Sequence, residues 1–251
     1  MPARPISGPT DAASTPRSST PSGLRRGLRT VAQDAWVVVA RRLSSRPARR
    51  KRKRLNQPPP RRSWHQVTAF SRSPQKLTIE HGSLTRRAGS FHDAAAVDAA
   101  VEGHDAVIIT AAPGSLAGFK ENPLFFSAGT ALVIDAMKRH GVRRLDVLSS
   151  LGTGESRVLS NWFIRTVLID GLLKLPSQDH ERQEALTQAS DLEWVIARPG
   201  RLTNGPARSR YVKKAEISPV PGAISRADVA DFLVTAADTD AWVGKAVQLG
   251  G

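Results

Sequence analysis

A few polar residues have the types and positions to do chemistry. Ser149 and Ser150 end an apolar run typical of a central strand, where a hydroxyl can reach a bound ligand. His180 lies in the first turn of a predicted helix, and imidazole is the natural proton donor near neutral pH. Arg72 ends another strand-like run with Ser73 beside it, and a guanidinium binds phosphate through bidentate, charge-assisted hydrogen bonds. These residue types indicate phosphate binding and proton transfer.

Other chemistries are excluded by the residues present. The sequence has no Cys, which excludes disulfides, thiol catalysis and Cys-based zinc sites. Its single Tyr is Tyr211, and Ala215 stands four positions later, so a Tyr-x-x-x-Lys acid is absent. No spacing resembles a metal site. Gly152-Thr153-Gly154 follows a late strand and has Arg157 in place of a third glycine, so we interpret it as an active-site loop.

The elements that position these residues follow from four short apolar runs separated by segments of helical period. The runs are Ala106–Ala112, Arg144–Ser150, Glu193–Ala197 and Ala246–Leu249. This alternation predicts an α/β fold, a doubly wound parallel sheet with helices on both faces. Ligands bind beyond the carboxyl ends of such strands. The stretches expected to lie at a ligand site are therefore Thr110–Gly114, Ser149–Gly154 and Arg198–Asn204.

Further elements flank these runs. Two strands are predicted at His65–Ser71 and Leu77–Glu80, and a loop over Gly114–Asn122. Helices are predicted over residues 93–101, 125–140, 161–173, 178–190 and 226–237. We expect Pro176 to end the third of these helices, and Ser225 with Asp228 to form a capping box that opens the last one.

Charge divides the chain of 251 residues into two parts. Residues 1–64 hold 16 Arg or Lys and two Asp, a net charge of +14, so of the total of +15 only +1 belongs to residues 65–251. The sequence therefore predicts a basic Arg/Pro/Ser-rich segment over 1–64 and one folded domain over 65–251. No stretch approaches the roughly 18 apolar residues of a membrane span.

Several interpretations of residues 1–64 stay open. Clustered Lys and Arg suit a nucleic-acid arm, but no aromatic interleaving or folded motif supports it, so a nucleic-acid partner is disfavoured. An Arg- and Ser-rich, acid-poor segment is also typical of a targeting peptide. A third interpretation is a largely disordered extension, because the segment has few large apolar residues to bury.

The folded part resembles a known family. With Arg72, Ser149-Ser150, Asp179–Leu186 (DHERQEAL) and Trp194–Pro206 (WVIARPGRLTNGP) aligned, it is similar to the atypical short-chain dehydrogenase/reductases. More narrowly it resembles their NmrA-like and biliverdin-IXβ (flavin) reductase-like branch. The resemblance implies a Rossmann-like NAD(P)-binding domain from about His65 to Gly251.

One departure from the family dominates. The family begins with a strand, a G-x-x-G-x-x-G loop and a helix, which bring the backbone to the cofactor pyrophosphate. Here no glycine occurs between Arg29 and His81. Trp36–Ala40 can fill the first-strand position, but Arg41–Arg46 cannot make the same turn. The first βα unit is thus expected to be absent or degraded, and a shifted reading frame is a fourth interpretation of the leader, which the upstream DNA would test.

The resemblance implies roles for particular residues. Arg72 and Ser73 would meet an adenosine 2′-phosphate, and because no acidic residue stands there, NADPH is expected over NADH. Ser150 and His180 would be catalytic. Gly82-Ser83 and Gly89-Ser90 compete for the position near the adenine. The full set of predicted cofactor contacts is Arg72, Ser73, Ser90, Ala111, Ala112, Pro113, Ser149, Pro199 and Gly200.

The expected function is NAD(P)H-dependent reduction of a small flavin-, quinone- or carbonyl-type acceptor, impaired by loss of the glycine loop. His180 or water would supply the proton. The alternative is a non-catalytic NmrA-like regulatory protein that binds the dinucleotide. We expect the protein to be cytoplasmic. His92, His104 and His140 are expected at the surface.

Overall fold

The computed structural model of this chain describes residues 37–41, 66–113, 115–159, 171 and 173–251. The leader was predicted to be largely disordered, and apart from residues 37–41 it lies outside the described residues. The predicted helix over 161–173, apart from residues 171 and 173, lies outside them too. None of the helices in the described ranges is long and apolar enough to cross a membrane.

A single large sheet organises the described chain. Its strands are β1 Val37–Arg41, β2 Gln66–Ser71, β3 Leu84–Ala88, β4 Ala106–Ile109, β5 Arg144–Leu148, β6 Glu193–Pro199, β8 Val212–Lys214 and β10 Lys245–Gly250. They lie in the order β3-β2-β1-β4-β5-β6-β10-β8. A second, parallel pair is formed by β7 Arg201–Thr203 and β9 Ala223–Ser225.

Helices cover both faces of this sheet, as predicted. Their bounds are α1 Ala94–Val101, α2 Leu116–Glu121, α3 Phe125–His140, α4 Lys174–Gln188 and α5 Arg226–Ala237. The core cluster on one face joins α1 and α3 to the sheet, and the cluster on the other face joins α5 to it. Two 3-10 turns lie at Pro74–Lys76 and Gly154–Leu159. The α/β class and the doubly wound arrangement are confirmed.

The parallel arrangement holds in two blocks of strands. β2 pairs parallel with β3, and β4, β5, β6 and β10 pair parallel in succession. β8 adds an antiparallel edge to β10. The carboxyl ends of β2, β4, β5 and β6 therefore meet at the same edge of the sheet, where ligands are expected.

β1 joins the two blocks and runs in the opposite direction. It pairs antiparallel with β2 on one side, Val37 facing Phe70, and with β4 on the other, Val37 facing Ile109. Val37 through Ala40 are buried, alternately against the two core clusters. The apolar leader segment thus fills the first-strand position, as the sequence allowed, but in reverse. Arg41 therefore ends β1 at the edge opposite the ligand edge, and the residues between it and Gln66 lie outside the described part of the chain.

Helix ends follow the expected chemistry. Gly141 ends α3 in the left-handed conformation, with a φ of 68°, which glycine adopts without strain. Asp93 caps α1 by accepting from the amides of Ala95 and Ala96. Ser225 Oγ accepts from the Asp228 amide at the start of α5, so the predicted capping interaction is confirmed.

Three local predictions were wrong. Leu77–Glu80 is not a strand; its place in the sheet is taken by Leu84–Ala88, an arginine-bearing edge strand that lacks the usual alternation. Residues within 114–122 contain the short helix α2, which Ser115 caps. Pro176 lies inside the first turn of α4, where its missing amide hydrogen has no intrahelical acceptor to lose.

Candidate functional site

A cavity of about 450 Å³ opens at the carboxyl edge, where β2 and β4 end. Its volume lies within the roughly 300–1,000 Å³ of small-molecule sites. It is lined by Val37, Phe70, Ser71, Arg72, Ser73, Lys76, Gly89, Ser90, Phe91, His92, Ala111, Ala112 and Phe125. Five predicted contact residues are in this set: Arg72, Ser73, Ser90, Ala111 and Ala112.

One side of the cavity is cationic. Arg72 and Lys76 are exposed there, on either side of the turn that follows β2. The Ser73 amide donates to Ser71 Oγ at 3.1 Å, which folds the chain back and holds these side chains at the rim. No carboxylate is among the described residues that line the cavity. This side is therefore suited to a phosphate or another anion.

The other side of the cavity is apolar and tightly packed. A Cβ on Gly89 would lie 2.3 Å from the ring of Phe70, so only glycine fits this close approach. Phe91 and Phe125 line the same wall, with ring centroids 5.8 Å apart. Of the two competing glycine-serine pairs, the structure brings Gly89-Ser90 to the cavity. An apolar wall beside a cationic rim suits a planar base joined to a phosphate.

Two basic lining residues, Lys76 and His92, were missed by sequence reasoning. His92 was expected at the surface, yet it lines the cavity, and its Nε2 lies 2.9 Å from the Phe125 carbonyl, to which it donates. Lys76 reaches the rim because a 3-10 turn brings it back beside Arg72. Neither placement has a periodic signal, because both depend on loop geometry. His104 is also more enclosed than expected, and burial lowers its pKa.

Ser149 and Ser150 follow β5 at the same edge. The Ser149 amide donates to the Ala197 carbonyl at 2.8 Å, which fixes the strand end against β6. Ser149 Oγ is buried and has no hydrogen-bond partner among the described residues. Ser150 Oγ donates only weakly, to the Leu151 carbonyl at 3.3 Å. Buried hydroxyls in native structures usually have a hydrogen-bond partner, so Ser149 Oγ is unusual.

A buried ion pair holds the loop after these serines. Arg198 Nε and Nη2 donate to the two carboxylate oxygens of Glu184, at 3.0 and 2.6 Å. Arg198 lies on β6 and Glu184 on α4, so the pair ties the helix to the sheet. An added Cβ on Gly154 would lie 3.2 Å from Arg198 Nη2, so the Gly152-Thr153-Gly154 loop rests directly on this pair.

His180 is half-buried on α4, and its ring stacks on Phe126 with the centroids 3.8 Å apart. Gln183 donates from Nε2 to Thr130 Oγ1 at 2.9 Å, which leaves Gln183 Oε1 to accept from His180 Nδ1 at 3.0 Å. Burial lowers the pKa of His180. At neutral pH the ring is therefore uncharged, with the proton on Nδ1 and an accepting lone pair on Nε2.

Asp179, beside His180, has a role in holding two helices together. Its buried carboxylate accepts from the amide of Phe126 at 2.6 Å and from the amide and hydroxyl of Ser127. These groups form the first turn of α3, which has no cap from its own Leu124. Asp179 thus caps α3 from α4 and places His180 against Phe126.

The remaining predicted contacts are not among the described residues that line the cavity. Pro113 follows β4, while Pro199 ends β6 in a buried position. A Cβ on Gly200 would lie 2.7 Å from the Gly222 carbonyl oxygen, so this glycine allows two backbones to approach. Catalytic residues predicted at Ser150 and His180 also lie outside the lining, on the loop and helix that follow β5.

A comparison with known proteins finds a matching family. Residues 60–240 match the protein family described as NAD(P)H-binding. A relative in Bacillus subtilis, named as an uncharacterized sugar epimerase, YhfK, is 28% identical over 179 residues, which cover 69% of this chain and 77% of that protein.

Solved structures share the fold. A short-chain dehydrogenase/reductase of Veillonella parvula, solved with NADP, has a TM-score of 0.60 at 19% identity, over 73% of this chain and 82% of that one. ChuY of Escherichia coli O157:H7, described as an anaerobilin reductase, has a TM-score of 0.58 at 22% identity, over 73% and 83%. At these identities the likeness shows the fold alone.

Proposed function

Because this chain belongs to the NAD(P)H-binding family, we propose that it is an NADPH-dependent reductase of small molecules. The Rossmann-like resemblance that the sequence predicted is confirmed at the level of that family. The observation that carries the proposal is the cavity at the end of β2, with Arg72 and Lys76 on its rim and an aromatic wall behind them.

The cavity fits the phosphoadenosine end of NADPH. Arg72 and Lys76 would bind the 2′-phosphate through charge-assisted hydrogen bonds, and Ser73 would add a hydroxyl donor. No acidic residue is among the described lining residues, so nothing there would hold the free 2′-hydroxyl of NADH. The preference for NADPH rests on this difference.

The acceptor side of the proposed reaction would lie beyond β5. When bound, the cofactor supplies the hydride, and the protein supplies orientation. Ser149 Oγ, buried and without a partner among the described residues, is available to bind the nicotinamide or the acceptor carbonyl. Ser150 is the neighbouring hydroxyl, held only by a weak hydrogen bond.

His180 would act as a neutral ring at physiological pH. Its Nε2 accepts rather than donates in this state, since Gln183 holds the proton on Nδ1. The proton for the reduced acceptor would then come from water, or from His180 at a pH low enough to charge the ring. The single tyrosine gives no alternative, because Tyr211 OH donates to Asp231 and no lysine stands four residues later.

We further propose a flavin-, quinone- or carbonyl-type acceptor and a cytoplasmic location, where NADPH is supplied. Calorimetric titration with NADPH, followed by NADPH oxidation with a quinone or a flavin, tests this function. Arg72→Ala is expected to weaken NADPH binding by about 10- to 150-fold, the equivalent of 1.5–3 kcal/mol for hydrogen bonds to a charged group. Arg143→Ala, an exposed arginine at the opposite edge, is the matched control and should bind normally. An NADPH affinity that does not change in Arg72→Ala would contradict the assignment.

A second candidate function is a regulatory protein that binds the dinucleotide without turnover. The reversed direction of β1 favours it, since a family member without the usual phosphate-binding turn would hold the nicotinamide less firmly. Saturable NADPH binding with no oxidation above the rate of the free cofactor, across quinone, flavin and carbonyl acceptors, would support this function over the reductase.

A further inference from the structure

Among the described residues, the site has two cationic side chains, Arg72 and Lys76, that can bind one phosphate. The described residues do not include the glycine turn that usually binds the pyrophosphate. In a fully parallel sheet of this family, a glycine turn after the first strand presents amides of the following helix to the pyrophosphate. Here Val37, the first described residue of β1, stands at the ligand edge, and Arg41 ends the strand at the far edge. The backbone of β1 is paired with β2 and β4 on its two sides.

The helix N-termini beside the cavity do not replace that turn. At α1, the Asp93 carboxylate already accepts from the Ala95 and Ala96 amides. At α3, Asp179 accepts from the Phe126 and Ser127 amides. Both sets of amides are thus occupied by carboxylates, and those negative charges repel a diphosphate.

The cationic rim has no such competitor. In the part of the chain that the structure describes, Arg72 and Lys76 form no ion pair with a carboxylate, and both are exposed at the cavity. Two exposed cations beside Ser73 match the size and charge of a single phosphate monoester. The aromatic wall behind them, formed by Phe91 and Phe125, offers apolar area for a base.

We infer that this site recognises adenosine bearing a phosphate monoester on the 2′-oxygen of its ribose, and that the pyrophosphate of NADPH adds little to binding. The inference rests on the proposed function, because it concerns the same cavity, and names the part of the cofactor that is bound. Its ligand class is therefore 2′-phosphoadenosine nucleotides, of which NADPH is one member.

Competition calorimetry on the full chain tests this with five probes: 2′-AMP, 3′-AMP, 5′-ADP, NADH and NADPH. We expect 2′-AMP to bind within about tenfold of NADPH, and NADH and 5′-ADP to bind at least about a hundredfold more weakly than NADPH. Selective binding of 2′-AMP over 3′-AMP would support the inference, whereas equal binding of the two would overturn its assignment of the phosphate to the 2′ position. Arg72→Ala with Lys76→Ala should abolish 2′-AMP binding, whereas Arg143→Ala should not change it.

The outcomes separate this inference from the proposed function. NADPH bound a hundredfold or more tightly than 2′-AMP would overturn the inference and leave the reductase standing. Equal binding of 2′-AMP and NADPH without any NADPH oxidation would support the inference and refute the reductase. A folded protein, shown by its circular dichroism, that binds none of the five probes would overturn both.

Discussion

The two parallel blocks of the sheet differ in how completely they keep the architecture of the family. In the block β4-β5-β6-β10 each strand runs parallel to the next, and a buried ion pair, Arg198 with Glu184, ties α4 to it. In the block β2-β3 the strands are parallel too, but they reach β4 only through the reversed β1.

This difference shows that the strand between β2 and β4 has two separate requirements in this family. It must complete the sheet, and it must place the chain for phosphate binding. A central strand must be apolar on both faces and hydrogen-bonded on both edges, and the sequence VVVA meets this in either direction. The family's pyrophosphate site also requires the strand to end at the ligand edge and lead into a helix N-terminus there, which only the parallel direction allows. The comparison predicts where each block is vulnerable.

The largest effect is expected from a charge placed in β1. Val38 is fully buried between β2 and β4, so Val38→Asp buries a carboxylate without a partner and should destabilise the fold by at least about 4 kcal/mol. Urea denaturation measures this. The matched control is Val158→Asp, at a residue 73% exposed, which should change stability by less than about 0.5 kcal/mol. Equal stability of the two variants would show that β1 is not part of the sheet.

A somewhat smaller effect is expected in the other block. Arg198→Met leaves Glu184 buried without its partner and should cost about 3–5 kcal/mol. The exposed pair of Arg143 with Glu193 gives the control, since Arg143→Met should cost less than about 1 kcal/mol. A double variant, Arg198→Met with Glu184→Leu, should recover part of the loss. If Arg198→Met is as mild as Arg143→Met, the pair does not tie α4 to the sheet.

Asp146, on β5, is expected to make the stability of the protein depend on pH. It lies at the centre of β5 with both carboxylate oxygens buried and without a hydrogen-bond partner among the described residues. Burial raises its pKa from 3.8 to about 8, against the attraction of Arg144 and with the repulsion of Asp238. The folded state therefore keeps a proton that the unfolded state releases between pH 4 and 8, and stability falls as pH rises through that window.

Asp146→Asn removes this titration. We expect the variant to unfold with the same free energy as the parent near pH 4, and to be at least about 2 kcal/mol more stable at pH 8. Thermal or urea unfolding from pH 4 to 8 measures the difference in slope. Asp135→Asn, on the exposed side of α3, is the matched control for an Asp-to-Asn change outside the core. A parent protein whose stability is flat across this range would contradict the raised pKa.

The smallest effect is expected at the cap of α3. Asp179→Asn keeps a side-chain acceptor but removes the charge at the helix N-terminus, so it should cost about 1 kcal/mol. Asp93→Asn at the exposed start of α1 should cost less. Because Asp179 also places His180 against Phe126, NADPH oxidation should fall in Asp179→Asn and not in Asp93→Asn. A larger loss of stability at Asp93 would reverse this ranking of the two caps.

Much of the fold was predictable because local signals agreed with the tertiary structure. The apolar strand β4, the periodic helix α3 ending at Gly141, and the Ser225 cap of α5 each follow from a short pattern. The direction of β1 was not predictable, since a strand buried on both faces carries no signal of which way it runs. The register that sets the direction comes from β2 and β4, not from β1 itself.

The residues of the candidate site were also predictable only in part. Arg72 and Ala111 follow strands, and the rule that strand ends share an edge brought them together. Lys76 and His92 were missed, because a 3-10 turn and a hydrogen bond to the Phe125 carbonyl place them. Leu77–Glu80 misled for a related reason: Leu77 is apolar because it is buried beneath that turn, not because it belongs to a strand.

The five residues of β1 also cover the facing edges of β2 and β4. In the described chain they are the only link between the two blocks, and without them β2 and β4 would each expose a long row of unpaired amides and carbonyls at an edge. Open edges of this kind recruit strands from other molecules and start aggregates. By pairing with β2 and β4, β1 therefore closes two strand edges that would otherwise be open to strands of other molecules.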